Sequence, residues 1–313
     1  MLGVAASLAA TAVPCRSVLT GDILPYHPTS LNPVLPRILF AMKQIFALLC
    51  FAMLTACGGG AATPTITDIQ AKNLYYGATA EFDFFGNNLA SLDSGIIPKI
   101  TNCASLTPAF KSLGEQVFKC TVTATGDLDV QVQDQTGAVI SSKTFTVPAP
   151  QVALDTSMGK IVVELNPTAA PLTVKNFLNY VQASFYSKSL FHRVIAGFVI
   201  QGGGFSPGLA ALPNALAPIT LESQNGLTNL RGTIAMARTT DPNSATSQFY
   251  FNLADNHSLD YRDASNPGYA VFGKIVQGLD VMDAIGAVPT NTVNGVPDVP
   301  VNDVVVNTAL RIQ

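Results

Sequence analysis

The segment "FHRVIAGFVIQGGGF", residues 191–205, sets Arg193, Phe198, Val199 and Gln201 around a run of glycines and offers no nucleophile paired with a base. A guanidinium carries a permanent charge and several donors in a rigid fork. Beside an apolar wall it suits polarising or holding a bound group, not cutting a bond. Gly202 to Gly204 lack the G-x-x-x-x-G-K-[ST] spacing of a phosphate cradle and read as room for the chain to bend where a side chain would crowd it. His27, His192 and His257 are scattered without ligand spacing, so no metal or other cofactor is expected. His192, alone between Phe191 and Arg193, reads as a packed structural residue.

These residues need a frame. "QVALDTSMGKIVVELNPTAAP" alternates at Val152 and Leu154, turns at Ser157-Met158-Gly159, and alternates back through Ile161, Val163 and Leu165, which predicts a hairpin. Val174, Phe177, Leu178 and Val181 then form one apolar helix face, with Pro171 in the first turn where a missing N–H is harmless. "GLDVMDAIGAV" predicts a second helix with Leu279, Met282 and Ile285 inward and Gly286 as its cap. Short strands with two separated helices fit a closed barrel or another α+β fold, and pattern alone leaves both open.

The remainder of the 313 residues divides by composition. A net charge of −3 gives no basic field for nucleic acid. Mean hydropathy of +0.33 points to an apolar segment. "MKQIFALLCFAMLTACGGG", from Met42, has a positive start, an apolar run too short to span a bilayer, and small residues ending in Cys57. Leu54-Thr55-Ala56-Cys57 resembles the lipobox of bacterial lipoproteins, so residues 42–57 are expected to be a signal peptide and Cys57 a lipidation site. Residues 1–41, proline-rich and aperiodic, are expected to be untranslated or disordered. A tether over 58–64 leads to short alternating strands over 65–147, a small immunoglobulin-like β-sandwich without catalytic or metal spacing. Within it Cys103 and Cys120 are expected to pair as a disulfide, since an exported chain meets an oxidising compartment. Residues 148–151 read as a Pro-rich linker, and 152–313 as a second domain.

"FHRVIAGFVIQGGGF", "RGTIAMARTTDPNSATSQFYFNLADN" and "GYAVFGKIVQGLDVMDAI" resemble, in order and spacing, the cyclophilin family of peptidyl-prolyl cis-trans isomerases, most closely its bacterial periplasmic branch. The resemblance covers about 151–313. It implies a mainly β fold: an eight-stranded antiparallel barrel capped by two helices, with the substrate groove on its outer face. It also implies that Arg193 is the catalytic arginine, that Phe198 and Tyr250 line the proline pocket, and that Gln201 and Gln248 are groove glutamines. Val199 stands where many members have Met, and Ala237 and Leu259 match further groove positions. Tyr269 replaces a His common in eukaryotic members, and Ser258 a Trp that helps hold cyclosporin, so cyclosporin binding is expected to be poor.

The implied reaction agrees with the residues. Rotation about X-Pro meets a barrier of about 18–20 kcal/mol and breaks no bond. A catalyst need only bind the twisted amide better than the planar ones. The expectation is thus an isomerase that assists folding of exported proteins, acting on proline-containing peptides, lipid-anchored in the bacterial envelope at the outer membrane, facing the periplasm, and monomeric; the alternative is a proline-segment-binding chaperone or adhesin.

Overall fold

The computed structural model describes residues 63–89, 95–213 and 215–313. Cys57, the signal-peptide segment 42–57 and residues 1–41 lie outside the described residues.

Seven strands come first: β1 (Thr65–Lys72), β2 (Thr79–Asn87), β3 (Ile97–Ile100), β4 (Cys103–Lys111), β5 (Glu115–Val122), β6 (Gly126–Gln133) and β7 (Val139–Val147). They form a four-stranded sheet ordered β1-β2-β5-β4 and a three-stranded sheet ordered β3-β6-β7. That is the strand order of a constant-type immunoglobulin sandwich. The alternation legible in the sequence is what fills it: Phe82 and Phe84 of β2, Cys120 and Val122 of β5, and Leu128, Val130 and Val132 of β6 share one buried cluster. Cys103 and Cys120 are bonded as a disulfide across the adjacent strands β4 and β5, their Cα atoms 5.6 Å apart.

The second part opens with the hairpin of β8 (Gln151–Thr156) and β9 (Gly159–Leu165). Gln151, which the sequence places in the linker, is already strand: it pairs with Glu164 and exchanges backbone hydrogen bonds near the C-terminus. Helix α1 (Pro171–Gln182) follows, then β10 (Ser189–Ile195), β11 (Val199–Gly202), β12 (Thr233–Met236), β13 (Phe249–Asn252), β14 (Val271–Gln277), helix α2 (Leu279–Gly286) and β15 (Val305–Arg311). All pairings between barrel strands are antiparallel, and the sheet closes in the order β10-β11-β13-β12-β14-β9-β8-β15. Closure removes every free edge.

Inward side chains such as Leu154, Val163, Ile200, Ile234, Phe249, Phe251 and Phe272 share a single cluster with Val174, Phe177 and Val181 of α1 and Met282 and Ile285 of α2. Phe177 meets Phe249 edge-on at 5.5 Å and Phe272 at 5.2 Å, so α1 is anchored by aromatic contacts across the barrel interior. Its free N–H groups are met from outside the helix: the Glu222 carboxylate accepts from Leu172 N at 3.0 Å and Thr173 N at 2.8 Å. Helix α2 departs from expectation at both ends. Leu279 is 39% exposed because it starts the helix at the rim, and Gly286 lies within the last turn, where a Cβ would meet Leu253, so it permits close packing and is not the cap. The two parts touch: Arg311 of β15 donates to the Tyr76 carbonyl at 2.9 Å, and Tyr76 packs against the barrel cluster.

Candidate active site

Strand pleating decides which side chains can meet outside the barrel. On β11, Ile200 points inward, so Val199 and Gln201 point out; on β13, Phe249 and Phe251 point inward, so Tyr250 points out. Registers then align one row across five neighbouring strands: Arg193 pairs with Gln201, Gln201 with Tyr250, Tyr250 with Ala235, and Ala235 with Val271. The register slip between Phe191 and Arg193 is a bulge in β10 beside the row, a device that re-aims side chains. The row is cationic at one end and apolar at the other.

Its apolar end is a separate cluster on the outer face. Val199, Ala235, Tyr250 and Val271 are its buried floor, and Phe198, Leu227, Ala237, Leu259 and Tyr269 pack around them half-buried. Six of these, Phe198, Val199, Ala237, Tyr250, Leu259 and Tyr269, are residues that the sequence resemblance singles out; Ala235, Val271 and Leu227 are additions. Backbone bonds hold the pieces: Leu253 N donates to Phe198 O at 2.9 Å, Tyr269 N to Leu259 O at 3.0 Å, and Ala237 N to Gln248 O at 2.9 Å. Tyr250 and Tyr269 meet edge-on at 5.9 Å, and the Arg238 guanidinium lies 4.6 Å over the Tyr269 ring.

The polar end is a chain of side-chain contacts. Gln201 donates through Nε2 to Gln248 Oε1 at 2.9 Å, and Arg193 Nη1 reaches Gln201 Oε1 at 3.5 Å. The glycines beside it are sterically required. A Cβ on Gly204 would fall within 2.8 Å of the Gln248 side chain, and one on Gly203, at φ 83°, would lie 2.7 Å from Ser247 O.

Beneath the floor lies a network that sequence reasoning did not find. Asn229, fully buried, accepts from the Tyr250 hydroxyl at 2.8 Å and from Asn252 Nδ2 at 3.1 Å, and gives its own amide and backbone N–H to Asp260 at 2.9 and 2.7 Å. Asn256 donates to both Asn252 Oδ1 and the Phe198 carbonyl at 2.8 Å. Burial opposes ionisation of Asp260, but its bonds from Asn229 and His257 prevail and hold the carboxyl below the ordinary range. Burial pushes the Tyr250 phenol well above its ordinary range, so it stays a donor.

His192 is 5% exposed, meets the Phe205 ring at a tilt with centroids 4.7 Å apart and, among the described residues, has no hydrogen-bond partner at Nδ1. Burial lowers its pKa to about 4, outweighing an upward pull from the Leu190 backbone, and the neighbouring Arg193 charge adds a smaller lowering. It sits neutral behind the row. Among the described residues no group of three or more His, Cys, Asp or Glu is placed to hold a metal ion. Cys103 and Cys120 lie in the sandwich, outside the site.

A desolvated apolar floor, a half-buried aromatic rim and a charged donor fork on one face can grip an apolar ring and hydrogen-bond to an atom beside it. They cannot form or cleave a covalent bond without a partner group. This is the profile of a catalyst of amide rotation.

Comparison with known proteins agrees. Residues 151–309 match the family described as cyclophilin type peptidyl-prolyl cis-trans isomerase/CLD. The peptidyl-prolyl cis-trans isomerase cyp18 of Streptomyces antibioticus is 51% identical over 160 residues, 50% of this chain and 96% of the relative. Peptidyl-prolyl cis-trans isomerase B of Escherichia coli is 47% identical over 157 residues, 50% of this chain and 95% of the relative. A crystal structure of a cyclophilin type isomerase from Cryptosporidium parvum aligns with 53% of this chain and 98% of its own at 23% identity and a TM-score of 0.44. The chain belongs to the cyclophilin-type peptidyl-prolyl cis-trans isomerase family, and its class of activity is prolyl isomerisation.

Proposed function

We propose that the outer-face row is the catalytic groove: Arg193 donates to the prolyl nitrogen while the cluster around Tyr250 grips the pyrrolidine ring. The observation that supports it most is the row itself, which sets Arg193 two strands, roughly 10 Å, from Tyr250, with Gln201 between them. In the planar amide the nitrogen lone pair is delocalised into the carbonyl and accepts poorly. Twisting localises it, so a donor fixed there binds the transition state and leaves the ground state nearly unaffected. Val199, Tyr250 and Leu259 strip water from the ring side, which strengthens the charged hydrogen bond. Gln201, held by Gln248, limits where the Arg193 fork can swing. Lowering the barrier by about 5–7 kcal/mol corresponds to roughly 10⁴–10⁵-fold acceleration. Exchange between cis and trans forms of an Ala-Pro test peptide, followed by NMR, tests the reading: the chain should accelerate it, and binding of the peptide without acceleration would instead favour a proline-segment-binding chaperone or adhesin.

We further propose that the clients are exported proteins and that the chain is held in the bacterial envelope by lipid on Cys57. The Met42–Gly60 segment supports this, as does the Cys103–Cys120 disulfide, a bond suited to an oxidising compartment. Fatty-acid labelling should mark the wild type and not Cys57→Ala; equal labelling of both would remove the anchor.

A further inference from the structure

Arg193 has a second partner that the sequence did not indicate. Asp298 Oδ2 lies 3.6 Å from Arg193 Nε, while Nη1 faces Gln201 on another edge of the guanidinium. Two long contacts on different edges of a planar group bias its rotation. No hydrogen bond or ion pair from Nη2 is made among the described residues, so that nitrogen still has its donors to offer.

Asp298 reaches Arg193 through an irregularity in the backbone. It belongs to a hairpin, Thr290–Val293 with Val296–Pro300, whose second strand lies along β10. Asn294 and Gly295, both at positive φ, make the tight turn. Asn291 pairs with Val299 and Val293 with Val296, so Pro297 and Asp298 together oppose Thr292: a bulge with one extra residue. Asp298 takes φ 63°, a left-handed conformation in which Asp is better tolerated than most residues. Val299, buried directly after it, anchors the strand. The bulge turns the carboxylate toward β10 at that point.

We propose that Asp298 is a positioning residue that orients the Arg193 guanidinium, a proposal that rests on Arg193 being the donor to the prolyl nitrogen. Both side chains are more than a third exposed, so the pair adds little to stability. Its effect falls on direction.

Exchange of an uncharged Ala-Pro peptide, measured by NMR for wild type, Asp298→Asn, Arg193→Ala and the double variant, tests it. Asparagine tolerates the left-handed backbone and removes the charge. The proposal predicts that Asp298→Asn lowers kcat by about 3- to 10-fold with KM unchanged, as for an interaction made only in the transition state. It also predicts no further loss when Asp298→Asn is added to Arg193→Ala. In the wild type alone, 0.5 M salt, roughly three times the physiological ionic strength, should screen the exposed pair and lower kcat in the same direction. Wild-type kcat in Asp298→Asn, or an equal drop in the Arg193→Ala background, would overturn the proposal while leaving the Arg193 assignment standing. Undiminished turnover by Arg193→Ala would overturn both.

Discussion

The Tyr250 hydroxyl donates to the buried Asn229 Oδ1 at 2.8 Å, so a ring that lines the groove is pinned by its polar end. The same Asn229 oxygen accepts from Asn252, and the Asn229 amide is held by Asp260. Asn229→Ala would leave the buried Tyr250 hydroxyl without its acceptor and the Asn252 amide with Thr233 alone. It should lose about 2–4 kcal/mol of unfolding free energy by denaturant titration and lower kcat/KM severalfold. Tyr250→Phe removes the donor, but Asn252 still serves the acceptor. That variant should lose only about 0.5–1.5 kcal/mol and keep most activity.

His192 makes stability depend on pH. The unfolded chain takes up its proton near 6.5, the folded chain only near 4, so between those values the unfolded state holds more protons. Stability is therefore complete above about pH 6.5 and falls as pH drops toward 4, by up to about 3 kcal/mol. Denaturant midpoints measured across this window should fall for the wild type and stay flatter for His192→Gln. Equal slopes would contradict a buried neutral histidine.

Gly204 and Gly203 separate function from folding. A Cβ on Gly204 meets the flexible Gln248 side chain, so Gly204→Ala should displace Gln248, free Gln201 and lower kcat/KM by roughly tenfold, about 1.4 kcal/mol, with a smaller effect on the unfolding midpoint. A Cβ on Gly203 meets the Ser247 carbonyl in a left-handed backbone. Gly203→Ala should instead lower the midpoint, by an amount corresponding to about 2 kcal/mol or more.

The disulfide closes a short loop, with a sequence separation of 17 between its cysteines. Its loss should cost the sandwich about 3 kcal/mol. Because the groove lies wholly on the barrel, isomerase activity of Cys103→Ser/Cys120→Ser should match the wild type at temperatures where the barrel stays folded. A matching loss of activity would mean that the barrel depends on the sandwich.

The parts of this arrangement that are legible in the sequence are those carried by local period and by runs of matching residues. Val152, Leu154, Ile161 and Val163 announce their hairpin by alternation, and Val174, Phe177 and Val181 their helix face. Phe198, Tyr250 and Leu259 stand out through the resemblance. Asn229 does not, because its role is set by Tyr250, Asn252 and Asp260 arriving from elsewhere in the chain, and a lone Asn in a loop carries no period. Asp298 is half-legible: Asn294-Gly295 between valines is a hairpin signal, but only the bulge at Pro297 and Asp298, a matter of register, turns the carboxylate toward Arg193. Leu279 misled because helical spacing gives a face and not the position of the rim.

In the proposed mechanism Arg193 supplies the hydrogen bond that the twisted amide needs. Cis–trans exchange of an Ala-Pro peptide, measured by NMR with wild type and Arg193→Ala at equal concentration, tests it most directly. The wild type should accelerate exchange, and the variant should lose about 10²–10³-fold in kcat/KM, the size associated with removing one preorganised donor. Arg193→Ala with wild-type turnover would contradict it.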